Sequence, residues 1–294
     1  MIFYIPQATD YLRPLNRRQK DEHLVLTSDG HTYVVNLDSP RVPKANLMNV
    51  IGGDLCRLVG IAAAIPSLLT FDPQVLQSAL RIDGSSITVM PVLGALFLGI
   101  RYPVDPRQEA IYDYLPDSLL ERVENRDDFW KLIPIDLWLG NSRASKLIYY
   151  RSMSQSSGEF HATTMFRHEP GLLERQTMDA SNRRAPLLTS RHYCGGAGRS
   201  IAENALKQIL ALTVSDIQNL FFGLPTPILE RHEPLAEEIA QELVEERDAR
   251  TEGLSRILKV LELGASADAS RRKPPAVELI GTNQSTKVSI VATA

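Results

Sequence analysis

Several features that would point directly to a function are scarce in this 294-residue chain. It has only two cysteines, Cys56 and Cys194, and neither belongs to a CxxC pair or to a metal-ligand spacing. We therefore expect no disulfide framework, which fits a reducing cytosol. The six histidines form no HExxH motif and no cluster, so the sequence predicts no zinc site.

Long apolar runs and basic regions are also missing. The most apolar window, 87–100, has 14 residues and is interrupted by Pro91, Gly94 and Gly99, whereas a membrane span needs about 20 apolar residues. The N-terminus has no signal-peptide pattern. The net charge is −3, so nucleic-acid binding through the short basic runs 17–20 and 270–273 remains a minor hypothesis. We expect a soluble, cytoplasmic protein with no membrane contact.

The first hundred residues have the pattern of short strands around one major helix. Asp29-Gly30 separates two apolar runs, which predicts a hairpin. Apolar residues at helical spacing predict a helix over 46–60. Asp72 followed by Pro73 predicts the start of a second helix, and 87–100 predicts a buried strand with a bend.

After the proline-rich stretch 102–106 the pattern becomes mostly helical. One strand pair is predicted at 146–151 and 160–166, and the predicted helices lie over 107–116, 117–123 with Asp117 as cap, 126–140, 198–213 and 234–263. The glutamate run of the last helix indicates a solvated face, with an acidic docking patch as the alternative. Residues 265–294 lose the periodicity, so we predict a mobile tail.

The motifs between 101 and 141 resemble those of the HipA-like kinase family, a bacterial branch of the protein-kinase-like fold. The resemblance is carried by Pro103, Asp105-Pro106, Tyr112, Leu115-Pro116, Asn125-Arg126, Asp128-Phe129, Asp136, Trp138 and Asn141. It extends over residues 10–262 and implies an α+β, bilobal fold. The implied domains are a strand-rich N-lobe over 1–102 and a helical C-lobe over 103–264, followed by the tail.

The same resemblance implies chemistry that this chain lacks at most of the expected positions. A kinase must cradle phosphate, hold Mg²⁺ and place an acid beside the attacking hydroxyl. The segment expected to cradle phosphate, 17–24, has no glycine. The remaining substitutions are Asn36 for the phosphate-binding lysine, Val50 for its glutamate partner, Arg143 for the catalytic acid, Lys146 for a polar residue of the same loop, and Arg167 for the metal-binding aspartate.

This joint substitution leads to the hypothesis of a pseudokinase that acts as a binding or regulatory module. We expect no catalytic residue, metal or cofactor, and a protein as the main partner. A nucleotide or other anion could contact Asn36, Asn141, Arg143, Lys146 and Arg167, although the two arginines could instead pair with Asp136 or Glu169. The alternative is an active ATP-dependent serine/threonine-type kinase that uses Mg²⁺ and the rearranged residues Asp136, Asn141 and Glu169.

Overall fold

The protein combines helices and strands. The computed structural model describes residues 5–16, 19–37, 43–83, 95–106, 109–112, 114–141, 146–151, 159–165, 190–193, 198–221, 226–259 and 261. Cys194, the predicted tail and most of the window 87–100 therefore lie outside the described residues.

Five strands in the first hundred residues close into a barrel. They are β1 (Gln7–Asn16), β2 (Gln19–Thr27), β3 (Thr32–Asn36), β4 (Pro66–Phe71) and β5 (Phe97–Arg101), in the order β1-β2-β3-β5-β4. Neighbouring strands are antiparallel, except that β1 and β4 run parallel where the barrel closes. The sequence did not indicate β1, which makes the first strand of the barrel a finding of the structure.

The hairpin predicted at Asp29-Gly30 is confirmed between β2 and β3. Asp29 accepts hydrogen bonds from the Thr27 hydroxyl, from the His31 amide at 3.0 Å and from the Tyr33 hydroxyl at 2.8 Å. Burial alone would raise the pKa of Asp29, but these hydrogen bonds together lower it. Gly30 has φ = 80°, a conformation that favours glycine.

Two helices accompany the barrel, α1 (Pro43–Leu58) and α2 (Pro73–Asp83). The predicted cap of α2 is confirmed, since the amide of Gln74 donates to Asp72 Oδ1 at 2.8 Å. α2 packs against β1 and β2.

The rest of the chain is mainly helical, with one small antiparallel sheet. The sheet is β6 (Ala110–Tyr112), β7 (Lys146–Arg151) and β8 (His161–Met165). The helices are α3 (Asp117–Leu120), α4 (Asp127–Trp138), α5 (Gly198–Ala211), α6 (Val214–Phe221), α7 (Thr226–Glu245) and α8 (Arg247–Thr251), with a 3-10 turn at Ser190–Tyr193 and further helical residues at 254–259. The predicted strand pair is confirmed.

In the middle of the chain one helix prediction was wrong, and another was correct in its start but too long. The segment 107–116 contains strand β6, where Ile111 pairs with Tyr150 of β7; isoleucine and tyrosine fit a half-buried sheet better than a short helix. The helix predicted over 117–123 ends at Leu120, and its cap is Pro116 with no side-chain hydrogen bond, so Asp117 does not cap it.

The single helix predicted over 234–263 was also wrong, because the structure breaks it twice. α7 ends at Glu245, α8 begins at Arg247, and a turn covers residues 252–253. Near the second break the Thr251 hydroxyl donates to the Arg247 carbonyl at 2.9 Å, a local bond that tends to bend helices. Arg250 lies in α8, between the two breaks, and its side chain is buried.

The main hydrophobic core crosses the predicted boundary near residue 102. It joins α1 to α4 and to the C-terminal helices, because Met48, Ile51 and Leu55 are fully buried against the same cluster as Trp138 and Leu243. The lobe boundary itself stays a prediction. None of the helices in the described part of the chain combines the length and apolar character needed to cross a bilayer.

α5 lies unusually close to α4 at Gly198. A Cβ at this position would come within 2.0 Å of Cε2 of Trp130, far inside van der Waals contact. Trp130 is buried and also stacks edge-on against Tyr193. The absence of a side chain at Gly198 therefore allows α5 to begin directly on the indole and helps to fix the position of α4.

Candidate functional site

The candidate residues lie around the end of α4 and the strand pair β7–β8. α4 ends at Trp138, β7 begins at Lys146, and β7 pairs with β8 so that Lys146 lies opposite Met165. In the sequence, Arg143 falls between α4 and β7, and Arg167 follows the end of β8.

The N-terminal end of α4 is held by a buried polar cluster. Asp128 Oδ2 accepts from the amide of Ala62 at 3.0 Å and from Asn125 Nδ2 at 2.8 Å, and Oδ1 accepts from Lys131 at 3.1 Å. Asn125 also exchanges two hydrogen bonds with the backbone of Ala162, at 2.7 and 2.9 Å. The motif residues Asn125 and Asp128 are therefore structural ties between α4, β8 and the segment after α1.

That segment also pairs directly with β8. The amide of Ala64 donates to the Thr164 carbonyl at 2.9 Å, and the amide of Thr164 donates to the Ala62 carbonyl at 2.8 Å. These two hydrogen bonds fix the connection between α1 and β4 against strand β8. The position of the hairpin relative to the barrel is set by backbone hydrogen bonds.

The C-terminal end of α4 is a Schellman motif. The amide of Gly140 donates to the Leu137 carbonyl at 3.1 Å, and the amide of Asn141 donates to the Asp136 carbonyl at 2.9 Å. Gly140 has φ = 67°, which explains why glycine occupies the position. This motif ends the helix, and Asn141 lies two residues before Arg143 in the sequence.

Asp136 and Asn141 meet inside the protein at this end. Asn141 Nδ2 donates to Asp136 Oδ1 at 2.6 Å, and both residues are buried. Asp136 therefore orients Asn141. A carboxylate buried in this way is poorly placed to take a proton from a substrate in the cleft.

The other half of the Asn141 amide has no partner. Asn141 Oδ1 is buried and accepts no hydrogen bond, and a buried unsatisfied acceptor costs about 1–3 kcal/mol. A ligand donor that reached Oδ1 would supply the missing hydrogen bond, so Asn141 stays a candidate contact. This oxygen is one of several buried polar atoms without a hydrogen bond in the described residues.

Apolar side chains close the junction between the barrel and β7. Leu24, Val34, Ala64, Tyr102 and Ile148 form one buried cluster, with Ile100 and Ile111 packed against it. Ile148 of β7 is fully buried, and Leu24 of β2 is 1% exposed. A ligand placed at this part of the junction would have to displace side chains that already pack on one another.

Three predicted site residues have described backbone positions. Asn36 is the last residue of β3 and pairs with Glu22, Val50 lies in α1, and Lys146 is the first residue of β7. Their side chains are not among those described. Residues 19–24, part of the segment where a phosphate loop was expected, form strand β2.

Arg143, Arg167 and Glu169 lie outside the described residues, so their proposed ion pair or anion site stays a prediction. Among the residues that the structure describes, no three His, Cys, Asp or Glu side chains come together in a way that could hold a metal ion. Mg²⁺ prefers several oxygen ligands, and the described end of α4 offers Asp136, already bonded to Asn141, and one amide oxygen. The described residues do not fit a bound Mg²⁺.

Cys56 is not a candidate nucleophile. It is fully buried in α1, and burial raises the pKa of its thiol, with the charges of Asp136 and Asp128 raising it further. Because the thiolate is the reactive form, this cysteine is chemically inert and contributes to packing.

One functional candidate was missed from the sequence. The side chain of Arg250 is 1% exposed and is paired with Glu242 and Glu246 of the glutamate run. The spacing of Glu242, Glu246 and Arg250, each four residues apart, was a visible signal of such a pair. The expectation of a solvated face does not hold for Glu242, which is half-buried. The other glutamates of the run are exposed: Glu237, Glu238, Glu245 and Glu246.

Comparisons with known proteins give limited information. No family model matches this chain, and no curated protein sequence matches it. Among solved structures, it is similar to the proinflammatory kinase CtkA of Helicobacter pylori, with a TM-score of 0.47 and 9% sequence identity over 88% of this chain and 97% of that chain. A similarity at this level is too weak to transfer a fold or an activity.

Proposed function

We propose that this protein is a HipA-like, kinase-fold pseudokinase that binds a protein partner and no longer transfers phosphate. The N-lobe would be residues 1–102 and the helical C-lobe 103–264, in the cytoplasm and without membrane contact. A nucleotide or other anion would be a secondary ligand, held by Arg143, Lys146 and Arg167.

The observation that carries the proposal is where the substituted residues fall along the chain. In kinases the phosphate-binding lysine lies on a strand and pairs with a glutamate of the next helix. Here β3 ends at Asn36 and the next helix, α1, contains Val50. Neither residue carries a charge, so this chain cannot form the ion pair at these positions.

A second supporting observation is the apolar junction formed by Leu24, Val34, Ala64, Tyr102 and Ile148. Substrates and cofactors usually occupy open clefts between structural units. Because this junction is packed with buried side chains, we infer that the two halves form one rigid unit, which suits a binding surface. It also explains how the fold persists without the charged groups of a catalytic centre.

The proposal predicts that the purified protein does not transfer the γ-phosphate of ATP to itself or to a generic serine/threonine substrate. Losing several catalytic groups removes several kcal/mol of transition-state stabilisation, at about 1.36 kcal/mol for each tenfold in rate. The measurement is transfer of radiolabelled phosphate with Mg²⁺ or Mn²⁺ present.

The variants Asp136→Ala and Glu169→Ala make this test specific. Phosphate transfer by the wild type that either variant abolishes, with folding retained, would overturn the pseudokinase proposal and establish the rearranged active kinase. Unchanged activity in both variants would end the assignment of Asp136 and Glu169 as rearranged catalytic residues.

A further inference from the structure

The carbonyl of Trp138 at the end of α4 is satisfied from a distant part of the chain. The Schellman motif uses the carbonyls of Asp136 and Leu137 and leaves the Trp138 carbonyl without a partner within the helix. Arg250 Nη1 donates to this carbonyl at 3.1 Å, across 112 residues of sequence. The guanidinium of Arg250 therefore completes the C-terminal cap of α4.

Arg250 is itself held in a fixed orientation. Its Nε donates to Glu246 Oε2 at 2.8 Å and its Nη2 donates to Glu242 Oε1 at 2.8 Å. The arginine side chain is 1% exposed, while the glutamates are 22% and 47% exposed. A buried guanidinium needs such partners. The two glutamates hold Nε and Nη2 of Arg250, and this orients Nη1 toward α4.

The side chain of Trp138 is held in place as well. The indole Nε1 donates to the Leu243 carbonyl of α7 at 2.7 Å, and the residue is fully buried. The backbone and the side chain of the last residue of α4 are thus both fixed by the C-terminal helices. Gly140 and Asn141 follow within three residues.

We propose that Arg250 is a positioning residue for Gly140 and Asn141, which follow α4. By capping the Trp138 carbonyl it fixes where the helix ends and the direction in which Asn141 lies. This role rests on the proposed function, because Asn141 is one of the proposed anion contacts. It has its own readout, however, because exchange of the Gly140 and Asn141 amides is measured without any ligand.

Arg247 provides a matched control on the same short helix. It also caps the end of a helix, since its Nη1 donates to the carbonyls of Ile209 and Leu212 at 3.2 and 2.6 Å. Those carbonyls belong to the end of α5. Both arginines therefore donate hydrogen bonds to carbonyls at a helix end, Arg250 at the end of α4 and Arg247 at the end of α5.

The test is amide hydrogen exchange of the full-length protein with Arg250→Gln and Arg247→Gln. A hydrogen bond to a charged group is worth about tenfold to hundredfold in a local opening equilibrium. We expect Arg250→Gln to speed exchange of the Gly140 and Asn141 amides by at least about tenfold and to leave the Leu212 amide unchanged. Arg247→Gln should show the reverse pattern.

A third variant separates positioning from general stability. Replacing buried ion pairs by uncharged groups often restores stability, so the triple variant Arg250→Met, Glu242→Gln, Glu246→Gln should regain thermal stability relative to Arg250→Gln. The Gly140 and Asn141 amides should still exchange fast, because the carbonyl cap is absent. Slow exchange of these amides in the triple variant, or in a folded Arg250→Gln, would overturn the assignment.

Discussion

Two asparagines, one at each end of α4, are used in opposite ways. Asn125, before the helix, uses both halves of its amide: Nδ2 donates to Asp128 and to the Ala162 carbonyl, and Oδ1 accepts from the Ala162 amide. Asn141, after the helix, donates to Asp136 and leaves Oδ1 buried and without a partner. The first is a complete structural tie and the second is incomplete.

The two asparagines differ in what their side chains contribute to stability. Buried polar groups that serve only the fold are normally satisfied, and one that is not requires an explanation. The side chains of Asn125 and Asp128 complete their hydrogen bonds within the protein. Asn141 keeps an acceptor without a donor, two residues before Arg143 in the sequence. We infer that a ligand would contact the C-terminal end of α4.

The largest expected effect comes from displacing α4 as a whole. Gly198→Ala would place a methyl group within 2.0 Å of the Trp130 ring, and overpacking of this kind costs about 3 kcal/mol or more. We expect a large loss in the free energy of unfolding, measured by urea denaturation.

The matched control for this substitution is Gly253→Ala. Nothing lies within 4 Å of a Cβ at that position, so the substitution should change stability by less than about 1 kcal/mol. Equal effects of the two alanine substitutions would show that the contact between α5 and α4 is not as close as described.

Next in size is Asn125→Ala. It removes three hydrogen bonds and leaves the amide and carbonyl of Ala162 unsatisfied at that position. We expect a loss of about 2–3 kcal/mol, measured by chemical denaturation. Asp127→Asn, a change at an exposed neighbour, should cost less than about 0.5 kcal/mol.

The smallest effect is expected from Asn141→Ala. One hydrogen bond to Asp136 is lost, but the cost of burying the unpartnered Oδ1 is removed as well. The net loss should be about 1 kcal/mol or less. A loss as large as that of Asn125→Ala would contradict the contrast between the two asparagines.

The double variant sharpens this contrast. The 12-residue helix α4 lies between the two asparagines, and a helix rises about 1.5 Å per residue. Effects at such distances normally add to within about 0.5 kcal/mol. A larger coupling would mean that the two ends of α4 communicate through the helix.

Local patterns in the sequence were sufficient for much of the fold. The hairpin at Asp29-Gly30, the cap at Asp72, the helix α1 and the pair β7–β8 follow from turn chemistry and from periodicity within a few residues. β6 was missed because its three residues become a strand only through pairing with β7, 35 or more residues later. The hydrogen bond from Arg250 to the Trp138 carbonyl joins residues that are 112 apart in the sequence, beyond the reach of any local pattern.

The candidate site was less accessible from the sequence for the same reason. The identities of Asn36, Val50, Arg143 and Arg167 could be compared with a family pattern, because that comparison needs only order along the chain. The structural roles of Asn125 and Asp128 depend on Ala62 and Ala162, which no local motif connects to them. Whether Arg143 and Arg167 bind an anion stays a prediction.

The most direct test of the central claim is calorimetric titration of the purified protein with ATP, with and without Mg²⁺. The variants are Arg143→Glu and, as control, Arg122→Glu at an exposed position. If the protein is a pseudokinase, we expect no Mg²⁺-dependent binding of ATP. Any Mg²⁺-independent binding of ATP should be lost in Arg143→Glu and kept in Arg122→Glu. Binding of ATP that requires Mg²⁺ and persists in Arg143→Glu would contradict the account and favour an active kinase.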